Sequence, residues 1–399
     1  MSTNFASRLS AVAPSATLAM AARAAKLRQE GHRVFAFGVG EPDFETPAFI
    51  RDAAKAALDR GASHYTPVTG TPELKRAICK AVARDRGWEP TVEQITVSCG
   101  AKHALFNLAL ALYEPGDEVI IPAPYWVSYP EQVRLAGATP VIVPTREEDG
   151  WQLTKEALAQ ALTPRTKAVI LCTPSNPTGA AYTRERLLEL ASVLETADCW
   201  VIVDEIYAEL VYDGFEHHSL AALAPSLRER LIVVDGVSKA YAMTGWRIGW
   251  SIAPKAVAKA LDVIQGQSTT NPTAVAQAAA VAALEGPRDE LRAMRATFEQ
   301  RRNRMVEGLR SIPGLSCRMP EGAFYAFADV RGLFGKQPEG RAPFASDEDV
   351  AFWLLDEAHV AGVPGTPFGA PGYIRFSYAS SIETIDAGIA AIREAVAKL

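Results

Sequence analysis

The stretch LIVVDGVSKAYAMTGWRIGW, residues 231–250, opens with an apolar β-branched run and ends in a second apolar setting. Between the two stand Lys239, three residues past the Asp235-Gly236 pair, and Arg247 beside Trp246. A short run of Val, Ile and Leu closed by a turn signal reads as a strand buried on both faces. Lys239 follows the point where that strand leaves its sheet. In doubly wound sheets, ligands bind outside the carboxyl ends of the strands. A lysine in such an apolar, partly desolvated site has a lowered pKa and becomes a nucleophilic amine suited to Schiff-base chemistry.

The same grammar extends outward. From about residue 94, QITVS, EVIIP, TPVIVP, KAVILC, WVIVDE, LIVVD and RIGWSIA read as strands, and GAKHALFNLALALY and TRERLLELASVLETA carry helical periodicity. Strands alternating with helices predict an α/β fold: a large domain with a mainly parallel sheet between helices. After about residue 290 the texture changes to a long charged amphipathic helix, then separate strands in CRMPEGAFYAFADV and GYIRFSYA around the helical DEDVAFWLLDEAHV. This tail predicts a smaller α/β domain. The expected division is 1–45 as an N-terminal segment joining the small domain, 46–295 as the large domain and 296–399 as the small one.

Composition narrows the function. The 399 residues are 48% hydrophobic and 22% charged, with a net charge of −5, which argues against a nucleic-acid binder. Five scattered cysteines with no paired spacing predict free thiols in a reducing cytoplasm, without a disulfide framework or a metal site. The first thirty residues, interrupted by Pro14, Arg23 and Lys26, do not read as a secretory leader. No run is long enough to span a bilayer. The chain is expected to be cytoplasmic.

Polar residues at the other strand ends complete a set. TVSCGAKHALFNLAL is strand, then Gly100-Ala101-Lys102, then helix, an arrangement in which backbone N–H groups face an anion. It is neither a dinucleotide nor a P-loop fingerprint. VIVDEIYAEL leaves Asp204 and Tyr207 at a sheet edge, PSNPTG leaves Asn176, and IPAPYW leaves Tyr125 and Trp126. Each is ordinary alone: a strand-end acid, a Pro-rich turn, an aromatic pair. Together, a lysine, a carboxylate, a phosphate cradle and an aromatic platform are what pyridoxal phosphate requires. Arg247, on the same turn as Lys239, would add a bidentate contact to the phosphate. His103 suggests no role, and His217-His218 reads as a surface turn.

With SKAYAMTGWRIG at its centre, the chain resembles the fold-type I, class I pyridoxal-phosphate aminotransferases. GEPDFETP, YTPVTGTPELK, PYWVSYPE, PSNPTGA, VDEIY, PEGAFY and IRFSYA extend the resemblance along nearly the whole chain. Within the family it is similar to the bacterial aspartate and aspartate/prephenate branch. The resemblance implies that Lys239 binds the cofactor aldehyde and then acts as the base that moves the substrate α-proton. Asp204 would face the pyridine nitrogen, Tyr207 and Asn176 the phenolic oxygen, and Trp126 the ring. The phosphate would be held by Ala101 and Lys102 backbone groups, Ser238 and Arg247, and by Tyr65 from the neighbouring subunit of a homodimer. Arg375, with Gly40, would take the substrate α-carboxylate.

Specificity is implied in the same way. Ser15 and Thr17 of PSAT, with Lys102, match residues that handle a distal carboxylate in that branch. They favour an acidic L-amino acid, aspartate first, with 2-oxoglutarate as the second substrate of a ping-pong transamination. The rivals are a prephenate or aromatic amino acid aminotransferase, or another fold-type I enzyme acting on amino acids. Prephenate-using relatives usually carry a lysine before PSAT, where this chain has Ala13, although Thr66 is retained.

Overall fold

The computed structural model describes residues 5–12 and 16–399. Its central element is a seven-stranded sheet. In spatial order the strands are Ile95–Ser98, Gly249–Ile252, Leu231–Gly236, Trp200–Asp204, Thr166–Cys172, Glu118–Ala123 and Thr139–Pro144. Six run in one direction; Gly249–Ile252 is antiparallel to both its neighbours. A parallel return would need a long crossover, usually helical, and the connection from Gly236 to Gly249 is only a short, turn-rich segment. The chain therefore leaves the sheet at Gly236, passes Lys239 and re-enters at Gly249 on the same side. That reversal is why Lys239 and Arg247 share one end of the sheet.

Alternation along the strands sorts side chains to two covered faces. Ile202, Ile232 and Val234 pack with Leu105, Leu108, Val257 and Leu261 from the helices Ala101–Leu112 and Lys255–Gly266. Val201, Val203, Leu231 and Val233 pack on the opposite face with Leu74, Ile78, Leu187 and Leu190. The latter come from the helices Pro72–Arg86 and Arg184–Leu194. These strand residues are at most a few per cent exposed, each contributing about 1.5–3 kcal/mol of burial. The helix Pro72–Arg86 shows local encoding of an element. Thr71 caps it by accepting from Leu74 N–H, proline occupies its first position, and Gly87 ends it in the left-handed region.

A separate core gathers around the four-stranded antiparallel sheet Val363–Pro364, Tyr373–Ser377, Tyr325–Asp329 and Ser316–Cys317. The helices Asp289–Arg310, Asp347–Glu357 and Ile382–Val396 cover it. Phe35–Ala36 pairs in parallel with Val360–Ala361, so the early chain runs beside this sheet. From there it reaches Gly38 and Gly40, which lie at the carboxyl ends of the large sheet's strands. Two expected strands are shorter than read. RIGWSIA becomes strand only at Gly249, because Arg247 is in the left-handed region (φ 57°). CRMPEGAFYAFADV is broken by the loop between Cys317 and Tyr325. Among the described residues, no helix is long and apolar enough to cross a membrane.

Glycines let three segments close together at the functional end of the sheet. A Cβ on Gly249 would lie 2.2 Å from Ala101 N and 2.6 Å from Gly100 C, both backbone atoms that cannot swing away. Gly249→Ala is expected to lower stability by about 1–3 kcal/mol, as overpacking does, measured by urea unfolding. It should also push the start of the Ala101–Leu112 helix outward.

Candidate active site

A cavity of about 380 Å³ opens at the carboxyl ends of the parallel strands. All of them except Thr139–Pro144 lead to residues that line it. Ser98 leads to Ala101 and Lys102, Ala123 to Trp126, and Cys172 to Asn176. Trp200–Asp204 supplies Asp204 and, one turn on, Tyr207; Gly236 leads to Ser238 and Lys239, and the returning strand brings Arg247. Gly40 enters from the early chain and Arg375 from the smaller sheet. Eleven of the residues expected from the sequence thus line one space. Tyr65 does not: it is 91% exposed on the loop between the helices Ala48–Asp59 and Pro72–Arg86. Ser15 lies outside the described residues, as does the side chain of Thr17.

Three ionisable groups are enclosed here with incomplete compensation. Lys239 Nζ donates to Gly40 O at 2.6 Å. Burial pushes its pKa down to about 8, with Glu41 opposing and Arg375 and Arg247 reinforcing the shift. Asp204, 4% exposed, accepts from Tyr129 Oη at 2.7 Å and from Ile206 N–H at 3.1 Å. Burial still pushes its carboxyl up to about 6. Arg375, 3% exposed, donates to Asn176 Oδ1 at 2.8 Å and Gly38 O at 2.9 Å, and its Nε has no partner among the described residues. Burial lowers its pKa. Its hydrogen-bond partners among the described residues are all neutral.

The start of the Ala101–Leu112 helix has the form of an anion cradle. Gly100 O takes the N–H groups of His103 and Ala104, whereas no acceptor among the described residues takes those of Ala101 and Lys102. Gly100 is in the left-handed region (φ 92°), and a Cβ there would lie 2.5 Å from Arg247 Nη2. Arg247 is held over this turn by donating to Cys99 O and Thr244 O. Lys102 Nζ stands 4.8 Å above the Trp126 ring, and burial, then Arg247, lowers its pKa. Lys102, Lys239, Arg247 and Arg375 outnumber Asp204 and Glu41, so the cavity favours ligands with more than one negative charge.

Several participants were not foreseen. Tyr129, three residues past Trp126, pins Asp204, and Tyr325 Oη lies 2.8 Å from Tyr207 Oη. Glu41 accepts a hydrogen bond from Thr244 and is the largest opposing influence on Lys239. Sequence spacing signals only the first, since PYWVSYP places Tyr129 near the strand end. The expected surface turn at His217 is a correction: its side chain is 5% exposed, 3.5 Å from Glu205. Glu205 is itself 1% exposed and draws Arg86 to 3.4 Å, as a buried carboxylate requires cationic neighbours. Asp204 caps no helix; its bond to Ile206 N–H closes a turn.

The family model for aminotransferase class I and II matches residues 32–392. The aspartate aminotransferase of Geobacillus stearothermophilus is 46% identical over 384 residues, covering 96% of each chain. The aspartate/prephenate aminotransferase of Cereibacter sphaeroides is 47% identical, over 98% of this chain and 96% of its own. Among solved structures, the aspartate aminotransferase from Rhizobium meliloti superposes with a TM-score of 0.97 at 44% identity, over 99% of each chain. That from Thermus thermophilus with maleate gives 0.92 at 41% identity, over 98% of this chain and 99% of the other.

The amine of Lys239 is protonated below about pH 8 and free above it. Its reaction with a small aldehyde, trapped by borohydride and read by peptide mass spectrometry, should rise through pH 8. A midpoint near the ordinary lysine value of 10.5 would contradict the enclosed setting.

Proposed function

The chain belongs to the class I and II aminotransferases, and on that premise we propose that it transfers the amino group of L-aspartate to 2-oxoglutarate by a ping-pong route. The carrying observation is that enclosed Lys239, Asp204 and Arg375 converge on one cavity with an excess of positive charge. Enzymes of this family use pyridoxal phosphate, and the residues fit it. A buried carboxylate with a raised pKa calls for a cationic partner, and unfilled helix N–H groups beside Arg247 call for a phosphate. The cofactor's contribution, when bound, is condensation with amines and withdrawal of the electron pair from the substrate α-carbon.

The protein's own residues do the rest. Lys239, with a pKa near 8, holds the cofactor through Nζ and, once released, takes the proton from the substrate α-carbon and returns it. Asp204, held by Tyr129, keeps the pyridine nitrogen protonated. Tyr207 and Asn176 address the phenolic oxygen, and Trp126 covers the ring. Ser238, Arg247 and the N–H groups of Ala101 and Lys102 hold the phosphate. Arg375 presents a planar fork to the α-carboxylate beside Gly40, replacing neutral partners with a charge. Lys102, with Ser15 and Thr17, addresses the distal carboxylate. A dicarboxylate preference is supported by the maleate in the Thermus thermophilus structure and by the surplus of cations here.

The exposure of Tyr65 supports its service to a second copy across a homodimer. The separate cores, and the pairing of Phe35–Ala36 with Val360–Ala361, support the division into 1–45, 46–295 and 296–399. A reducing, cytoplasmic setting is supported by five cysteines that form no disulfide. The likeness to an aspartate/prephenate aminotransferase makes prephenate a second acceptor to assay.

The direct test is initial-rate kinetics with L-aspartate and 2-oxoglutarate, for which parallel double-reciprocal lines are expected and Lys239→Ala abolishes turnover. Lys102→Ala should raise KM for L-aspartate about tenfold, a loss of about 1.4 kcal/mol of binding, and leave L-alanine nearly unchanged. Equal losses for both substrates would contradict the assignment of Lys102. Arg375→Lys, which removes the fork, should lower kcat/KM for both amino acids by roughly a hundredfold.

A further inference from the structure

Tyr325 is fully buried and touches two separate parts of the cavity. It starts the strand Tyr325–Asp329 opposite Ser377, while Phe327 stands opposite Arg375. Tyr325 and Arg375 are therefore diagonal neighbours on one face of an antiparallel pair. The Arg375 guanidinium carbon lies 4.5 Å from the Tyr325 ring centroid. The phenol oxygen lies 2.8 Å from Tyr207 Oη. Arg375 also donates to Asn176 Oδ1. One ring thus links the arginine proposed for the substrate carboxylate to the tyrosine proposed for the cofactor's phenolic oxygen.

Counting hydrogens gives this contact a direction. Each phenol carries one O–H, and among the described residues Tyr325 Oη has no partner other than Tyr207. If Tyr207 donates, its hydrogen is used and none is left for a ligand. If Tyr325 donates, the Tyr207 O–H is free to face the cavity. An oxyanion arriving beside Tyr207 selects the second arrangement. Gly40 keeps the place of the Tyr325 hydroxyl open, since a Cβ there would lie 2.9 Å from it, and the same residue's carbonyl receives Lys239. We propose that Tyr325 is a positioning residue for transamination. Its hydroxyl donates to Tyr207 so that the Tyr207 O–H points at the cofactor, and its ring sets the position of Arg375. This rests on the functional reading above. Burial raises the pKa of Tyr325, which keeps it a neutral donor.

The two halves separate by substitution in the holoenzyme. Tyr325→Phe keeps the ring and should raise the pH midpoint of the cofactor's visible band by about half a unit or more, because Tyr207 stabilises the phenolate less well. KM for L-aspartate should stay within about twofold. In a Tyr207→Phe background, that spectral shift should vanish. Tyr325→Leu should raise KM for L-aspartate and L-alanine alike by about tenfold, since both carry the α-carboxylate. An unmoved midpoint in Tyr325→Phe, or a shift that survives in full without the Tyr207 hydroxyl, would overturn the hydroxyl role. Unchanged KM values in Tyr325→Leu would overturn the ring role. Should the wild type show no visible band with pyridoxal phosphate, the functional reading fails and the hydroxyl role with it. The ring role is still decided by calorimetry of succinate on the cofactor-free protein. There, binding about tenfold weaker in Tyr325→Leu and unchanged in Tyr325→Phe supports it, and equal affinities contradict it.

Discussion

Enclosing an ionised group without an opposite charge costs several kcal/mol, yet Asp204, Lys239 and Arg375 share one cavity with no ion pair among them. Among the described residues each has only neutral hydrogen-bond partners: a phenol and a backbone N–H, a carbonyl, an amide oxygen and a second carbonyl. The shifts of Asp204 up to about 6 and Lys239 down to about 8 express that cost. A stable fold can carry it because the surrounding sheet and helices are densely buried. A cofactor that supplies a pyridinium and an aldehyde, and a substrate that supplies a carboxylate, each to its own partner, would convert the cost into binding.

The geometry that brings these groups together follows from one chain reversal. Six parallel strands present their carboxyl ends at one side, and the antiparallel Gly249–Ile252 strand enters from that side. Glycines at 100, 236 and 249 let the turn, the strand and the helix start approach without Cβ atoms between them. Behind the Asp204 strand end, a second layer of charge stiffens the scaffold. Arg86 pairs with Glu205, Glu209 and Asp235, joining the end of the Pro72–Arg86 helix to the sheet. His217 lies against the same Glu205 carboxylate.

What was legible in the sequence follows from this arrangement. Lys239, Asp204 and Asn176 are readable because each closes or soon follows an apolar strand, and strand ends in such a sheet meet at one crevice. Arg247 is readable because it returns on the same turn. Arg375 lies in a strand of the other sheet, where periodicity alone suggests a solvated edge, and only the resemblance to a family singled it out. Tyr325 and Tyr207 are 118 residues apart and acquire meaning only through their contact. His217 misled for a related reason: a polar, turn-rich stretch reads as surface unless a buried partner such as Glu205 is known to lie beneath it.

The most direct measurement is the absorbance spectrum of the pyridoxal-phosphate-loaded protein before and after L-aspartate alone is added. The expected result is a visible band, from cofactor held by Lys239, that converts to the shorter-wavelength pyridoxamine form as the amino group is taken up. A visible band that ignores aspartate would contradict the assignment of the acidic substrate. The absence of any such band would contradict the central claim, that the charges enclosed around Lys239 exist to hold this cofactor.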